Sequence, residues 1–394
     1  MKLLFIHDHK FVYDHTTNSY YDGSGGAFGP KLWNRYLSFS HHLTCIGRKA
    51  DKLPNQLVIS SCENVTFSLI DDINSYKDIF TKKRIITEKI KKSIDEVDFV
   101  VIRLPSTLGH IAQSICISEN KPYIIEIVGC PWDSFINYAF LTKLLAPYAW
   151  YKLRKSTLRS KACIYVTKYF LQKRYPTFGK SVAISNINIE QTISFTEANN
   201  FYSQYKNSTN TIFKIAYIGT FHTKYKGHDI LFKALRKIIR QDEIPNIRLY
   251  LVGTGDPIWI QKMAKKMGIE KNIEVVGMLK SGEDGVIPFL DTMHLYVHPS
   301  RTEGLPRTVL EAMSRGRLTL GSNVGGIPEL LNEKYLHKSG DVNKLFSDII
   351  SIHRDQSNWE NIIRDNIHKA QDYLEIKLHE IRKNLFLEQF KQQK

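Results

Sequence analysis

Short apolar runs separated by helix-length stretches set the pattern of this chain. In its first half they fall at 3–6, 45–46, 58–59, 65–70, 99–102, 123–128, 163–166 and 182–184. Runs this short and β-rich predict a parallel sheet with helices on both faces. A helix is expected at about 32–39. Asparagine, serine, threonine and glutamine then dominate 199–211, which reads as part of a linker. A second cycle follows it. Strands are expected at 215–218, 247–252, 273–276, 295–298 and 318–320. Helices are expected at 230–239, 257–267, 287–290, 310–315 and 341–353. The stretch 359–393 is charged, of helical period, and free of glycine and proline.

The fold class is therefore α/β, in two domains. The first spans 1–190, a polar linker 191–211, the second 212–365, and a final helix 366–394. A cleft between two such domains is the expected binding site, because ligands of open α/β sheets lie at the carboxyl ends of the strands.

Composition adds three constraints. With 394 residues and 42% hydrophobic content, the chain can bury real cores, which excludes global disorder. Lysine and arginine exceed aspartate and glutamate by 55 to 39, a formal charge of +16 that calls for an anionic partner. The five cysteines are scattered and lack ligand spacing, so neither a disulfide framework nor a zinc site is expected, and a reducing compartment fits. The run at 3–6 is too short for a signal peptide, and no stretch reaches the length of a spanning helix.

The candidate chemistry stands at strand ends. Gly23, Gly25, Gly26 and Gly29 precede the first expected helix; they suit close backbone approach to a phosphate, or a flexible loop. Gly219 opens a loop carrying Lys224 and Lys226, two point charges for a diphosphate, or a solvated basic turn. Gly253 marks a turn. The richest stretch runs from His298 to Gly316. Glu303 lies in a loop marked by glycine and proline, and Glu311 stands eight positions on, in a helix. Paired carboxylates suit the hydroxyls of a sugar or ribose, or general acid–base work; a helix-cap role is the plain reading of Glu311. Gly325 and Gly326 follow the next strand as a second phosphate-sized nest.

Glu303 to Glu311 with Ala312, Met313 and Gly316, the Gly325-Gly326-Ile-Pro-Glu329 element and Lys226-Gly227 together resemble family 4 of the retaining glycosyltransferases, in order and spacing, over 215–331. The resemblance implies the GT-B architecture: two Rossmann-like domains facing across a cleft, with a last helix crossing back to the first. It implies a nucleoside diphosphate sugar as donor, no cofactor and no metal. Glu303 resembles the glutamate on the donor sugar, Glu311 the one on the ribose, and Lys226 the lysine on the diphosphate. Gly25, Gly26, Gly219, Gly253, Gly304, Leu305, Gly325 and Gly326 fall on the donor side. The family's arginine after the strand glycine has no match; Lys224 or Arg301 is expected in its place. No histidine follows the central strand at 123–128. His110 is then the candidate beside the acceptor, with Glu126, Trp132 and Asp133.

Two further expectations rest on charge. No acidic residue occurs between Ser134 and Ile189, while ten basic ones fall within 141–180, interleaved with aromatics. That segment is expected on an anionic membrane surface, at the inner face of the cell membrane. A polyprenyl-diphosphate-linked glycan, a surface polysaccharide precursor, is the expected acceptor. Rival readings are a phosphorylase or epimerase of the same fold, or an inactive sugar-nucleotide-binding subunit. No nucleic-acid-binding pattern accompanies the charge.

Overall fold

The computed structural model describes residues 1–23, 28–50, 58–71, 81–138, 141–187, 189–209 and 211–391. The chain forms two compact units. One comprises Met1–Pro131, Pro147–Ile184 and His379–Lys394; the other comprises Trp132–Ala146 and Ser185–Leu378.

The first unit is built on strands β1 (Lys2–Asp14), β2 (Ser19–Asp22), β3 (His42–Lys49), β4 (Val65–Ile70), β5 (Phe99–Leu104), β6 (Tyr123–Ile127), β7 (Ala162–Tyr165) and β8 (Lys180–Ala183). Their order is β4-β3-β1-β5-β6-β7-β8, parallel throughout, with β2 antiparallel to β1. β5 is buried at all six positions, as a central parallel strand requires. The β1–β2 hairpin departs from expectation. The polar triplet His7, Asp8, His9 ends the apolar run, yet the strand continues to Asp14 because Phe11 and Val12 are buried again. The pairing with β3 shifts across that triplet, between Ile6 and Lys10. The run expected as a strand at 58–59 is an isolated bridge from Ile59 to Tyr21.

The second unit holds β9 (Phe213–Ile218), β10 (Ile247–Val252), β11 (Ile273–Gly277), β12 (Leu295–His298), β13 (Leu318–Ser322) and β14 (Leu336–His337). Their order is β11-β10-β9-β12-β13-β14, all parallel. Helices on both faces complete a Rossmann-like layer, as in the first unit, so the architecture is GT-B. No helix among the described residues is long and apolar enough to cross a membrane.

The stretch expected as a polar linker holds a helix, Phe195–Lys206. Ser194 and Glu197 form a reciprocal capping box at its start, which satisfies two backbone N–H groups of the first turn. Ala198 and Tyr202 are fully buried, and Phe195, Phe201 and Tyr205 pack partly buried against the same core, an apolar face that the polar composition hides. The Tyr202 hydroxyl donates to the His294 carbonyl (2.5 Å) and accepts from the Leu318 amide (2.9 Å), fixing the helix to β13.

The tail is two helices, Trp359–Gln371 and Glu375–Lys391. The break needs neither glycine nor proline. Leu374 pairs with Ile189, and the Glu375 amide donates to the Ile189 carbonyl (2.8 Å), which draws that backbone out of helical bonding. From His379 onward the last helix groups with the first unit. Phe386 is fully buried there, stacked on Phe39 (4.6 Å) and edge-on to Tyr36 and Phe99.

Candidate active site

Three loops at the carboxyl ends of β9, β12 and β13 are drawn together by backbone contacts. The Arg301 amide donates to the Tyr225 carbonyl (2.7 Å), joining the β12 loop to the β9 loop. Gly227 has φ +79°, and a Cβ there would stand 2.1 Å from the Pro299 oxygen. The Gly326 amide donates to the Gly304 carbonyl (2.6 Å). Gly325 has φ +58°, and a Cβ on it would stand 2.1 Å from the Glu303 carbonyl oxygen. Glycine is required at 227 and 325 by approach as well as by dihedral.

What this convergence holds is the Glu303 carboxylate. Its Oε1 accepts from Lys226 Nζ (2.7 Å), His298 Nε2 (2.8 Å) and Ser300 Oγ (2.7 Å). Its Oε2 has no hydrogen-bond partner among the described residues. Burial alone would raise the carboxyl pKa. The Lys226 ammonium and the His298 hydrogen bond outweigh it and hold the group well below the usual carboxylate range. Burial likewise opposes the Lys226 charge, but Glu303 raises its pKa above the ordinary lysine value. An ionised carboxylate only accepts, so His298 Nε2 carries its proton. Nδ1 of the same ring lies 2.9 Å from the Tyr296 hydroxyl, itself 2.5 Å from Thr308 Oγ1. The chain Thr308–Tyr296–His298 thereby fixes the ring that orients Glu303. His298 and Ser300 were not among the expected site residues. Their place at the end of an apolar run, just before the Glu303 loop, is the signal that marks them.

The other donor-side residues take varied positions. Glu311 lies in the second turn of the helix Arg307–Ser314, buried, with no hydrogen bond to its carboxyl among the described residues. Burial raises its pKa, and Arg307 offsets this only in part. Arg301 spans Asp229 with both guanidinium nitrogens (2.8 Å each) and the Lys224 carbonyl (3.0 Å), so its charge is engaged within the loops. The Lys224 side chain is exposed. Gly219 and Gly253 sit back to back, a Cβ on Gly253 falling 1.9 Å from the Gly219 oxygen. Leu305 packs partly buried on the core beneath. Gly25 and Gly26 lie outside the described residues.

In the first unit, Glu126 is 2% exposed and accepts from the buried Tyr36 hydroxyl (2.8 Å). It stands on β6, which is buried at four of its five positions, and its Oε2 has no hydrogen-bond partner among the described residues. His110 meets Ser156 Oγ (2.9 Å), and burial with the nearby Lys152 charge lowers its pKa to about 3. Trp132 and Asp133 begin the helix Pro131–Tyr138 and are counted with the second unit. Two residues at the carboxyl end of β1's apolar run escaped notice. Asp8 accepts from Arg48, Ser106 Oγ and the amides of Thr107 and Leu108, capping the helix Thr107–Ser118. His7 is pushed down to about 3, by burial first and then by Arg103.

Residues 212–355 match the family model of the glycosyl transferases group 1. The chain is 34% identical over 349 residues to Protein CapJ of Staphylococcus aureus, covering 88% of this chain and 84% of that one. Among solved structures it resembles sucrose-phosphate synthase of Thermosynechococcus elongatus (TM-score 0.71, 15% identity, 99% of each chain). It also resembles Anabaena HepE in complex with UDP (TM-score 0.68, 15% identity, 98% and 100% of the two chains). Among the described residues, no group of three or more His, Cys, Asp or Glu side chains is placed to hold a metal ion.

Proposed function

The chain belongs to the glycosyl transferases group 1 and transfers a sugar from a nucleoside diphosphate donor; from that premise we propose that transfer proceeds with retention, onto a hydroxyl of a lipid-linked glycan. The observation that carries the reading is the one-sided occupation of Glu303. Three donors saturate Oε1, which leaves Oε2 as the acceptor for a hydroxyl of the donor sugar. A carboxylate held this low in pKa does not protonate a leaving group. It positions the sugar and Lys226.

Lys226 has three N–H groups and gives one to Glu303, so two remain for the departing diphosphate. Negative charge grows on that diphosphate as the glycosidic bond breaks. A pre-positioned ammonium stabilises this charge without reorganisation, an effect of about 3 kcal/mol, roughly a hundredfold in rate. The acceptor hydroxyl attacks from the face the diphosphate leaves, and its proton passes to a leaving phosphate oxygen. Glu311 takes the ribose hydroxyls with its unpartnered carboxyl. Lys224 adds a charge at the mouth. The UDP bound in HepE supports a uridine donor as the first to try.

The acceptor reading rests on surface chemistry. The acid-free segment carries Leu144, Tyr148 and Tyr151 exposed, which suits a peripheral position on an anionic membrane. The test is transfer from a panel of nucleoside diphosphate sugars to a lipid-linked glycan, with the anomeric configuration of the product read by NMR. Retention is expected; inversion, or release of free epimerised nucleotide, would contradict the proposal.

A further inference from the structure

The first unit carries a cavity of about 390 Å³ between the helices Thr107–Ser118 and Ala146–Leu158. Lys152, Lys155 and Arg159 line one side. Their spacing of three and four positions aligns them on one helical face over about 10 Å. None of the three makes an ion pair, or a side-chain hydrogen bond, among the described residues. Lys152 and Lys155 only approach the rings of Tyr148 and Tyr151 (5.9 Å each). Lys152 is partly buried, and burial together with Lys83 lowers its pKa while Asp8 opposes. His110 is tied to Ser156 and stays neutral at physiological pH, so the cavity is lined by three cations that make no ion pair among the described residues.

Unpaired cations lining a concave surface are costly to keep together unless an anion joins them. Lysine and arginine favour phosphoryl oxygens as partners. Three charges exceed what one phosphate monoanion balances and suit two phosphoryl groups. The rim is apolar: Ile117, Tyr148 and Tyr151 are 45%, 63% and 56% exposed. A ligand that is anionic at one end and apolar beyond it matches both features.

We propose that this groove holds the diphosphate of a prenyl-type carrier, with the start of its apolar chain against Ile117, Tyr148 and Tyr151. The proposal rests on the reading of a lipid-linked acceptor and names the part of that acceptor which this unit grips. It makes Lys152, Lys155 and Arg159 acceptor-binding residues, without part in the bond exchange.

Farnesyl diphosphate, a short soluble probe, tests it by calorimetric titration of the full chain. Saturable binding is expected, at least tenfold tighter than inorganic pyrophosphate or farnesol. The triple variant Lys152→Gln, Lys155→Gln, Arg159→Gln should bind at least tenfold more weakly. The single variant Arg159→Gln, at an exposed position, should lose about threefold with unchanged melting temperature. Absence of saturable binding, or equal binding by parent and variants, overturns the proposal. So does groove-dependent binding of phosphatidylglycerol vesicles at the affinity of farnesyl diphosphate, which would assign the site to bilayer headgroups. A parallel UDP titration should be unaffected by the variants. Failure of both UDP and GDP to bind the parent would count against the donor reading and leave the groove result standing.

Discussion

The Lys226 ammonium lies 2.7 Å from Oε1 of Glu303, across 77 residues of sequence, and each group keeps the other charged in a buried setting. The pair is reciprocal. Each charge opposes the desolvation of the other, and removal of one strands its partner.

Replacing Glu303 with glutamine keeps the shape and removes the charge. Turnover is expected to fall at least a hundredfold while affinity for the nucleoside diphosphate changes less than threefold, because the base and ribose lie elsewhere. Steady-state kinetics and a titration on the same preparation check it; equal losses in both would contradict the assignment.

Glu311→Ala should show the reverse emphasis. Its carboxyl is buried with no hydrogen bond among the described residues, so truncation costs little stability. Affinity for the nucleotide should drop about tenfold, roughly 1.4 kcal/mol, in the same titration.

Gly325→Ala separates approach from dihedral. A left-handed alanine costs about 1–2 kcal/mol. Here the new Cβ also meets the Glu303 carbonyl at 2.1 Å, so the loop must move. Gly268 has a similar φ of +67° and open space around it. Gly268→Ala should lower the melting temperature alone, and Gly325→Ala should lower both the melting temperature and turnover.

The pair also sets a pH dependence of stability. Glu303 is depressed on folding, so its contribution is present above the unfolded value near 4.5 and is lost as pH falls toward the folded value. Lys226 is raised, so its contribution holds below the unfolded value near 10.5 and is lost as pH rises through the folded one. Denaturant midpoints should be level between these limits. Glu303→Gln should flatten the acid limb.

Much of this site was legible in the sequence. Glycine and proline punctuate strand ends, and Glu303, Glu311, Lys226 and Gly325 stood out because their order and spacing resemble the family 4 glycosyltransferases. What escaped was contact across the chain. Nothing local to Arg301 shows that Asp229 engages its guanidinium, and nothing local to His298 shows Glu303 at its ring. The helix Phe195–Lys206 escaped because asparagine, serine, glutamine and other polar residues dilute its apolar face, where only Ala198 and Tyr202 are fully buried. The hairpin of β1 and β2 escaped because His7, Asp8 and His9 interrupt the apolar pattern while the backbone stays extended. Glu126 read as a candidate from its place at the end of a strand, and nothing local to it shows the Tyr36 hydroxyl on its Oε1.

The most direct test is a calorimetric titration of the full chain with UDP and GDP in the presence of EDTA. Lys226 and the loops around Glu303 supply the positive charge, so saturable one-to-one binding of one of the two is expected without added metal. Lys226→Ala should weaken it at least tenfold. No affinity for any nucleoside diphosphate or its sugar conjugate, or binding that EDTA abolishes and added metal restores, would contradict the account.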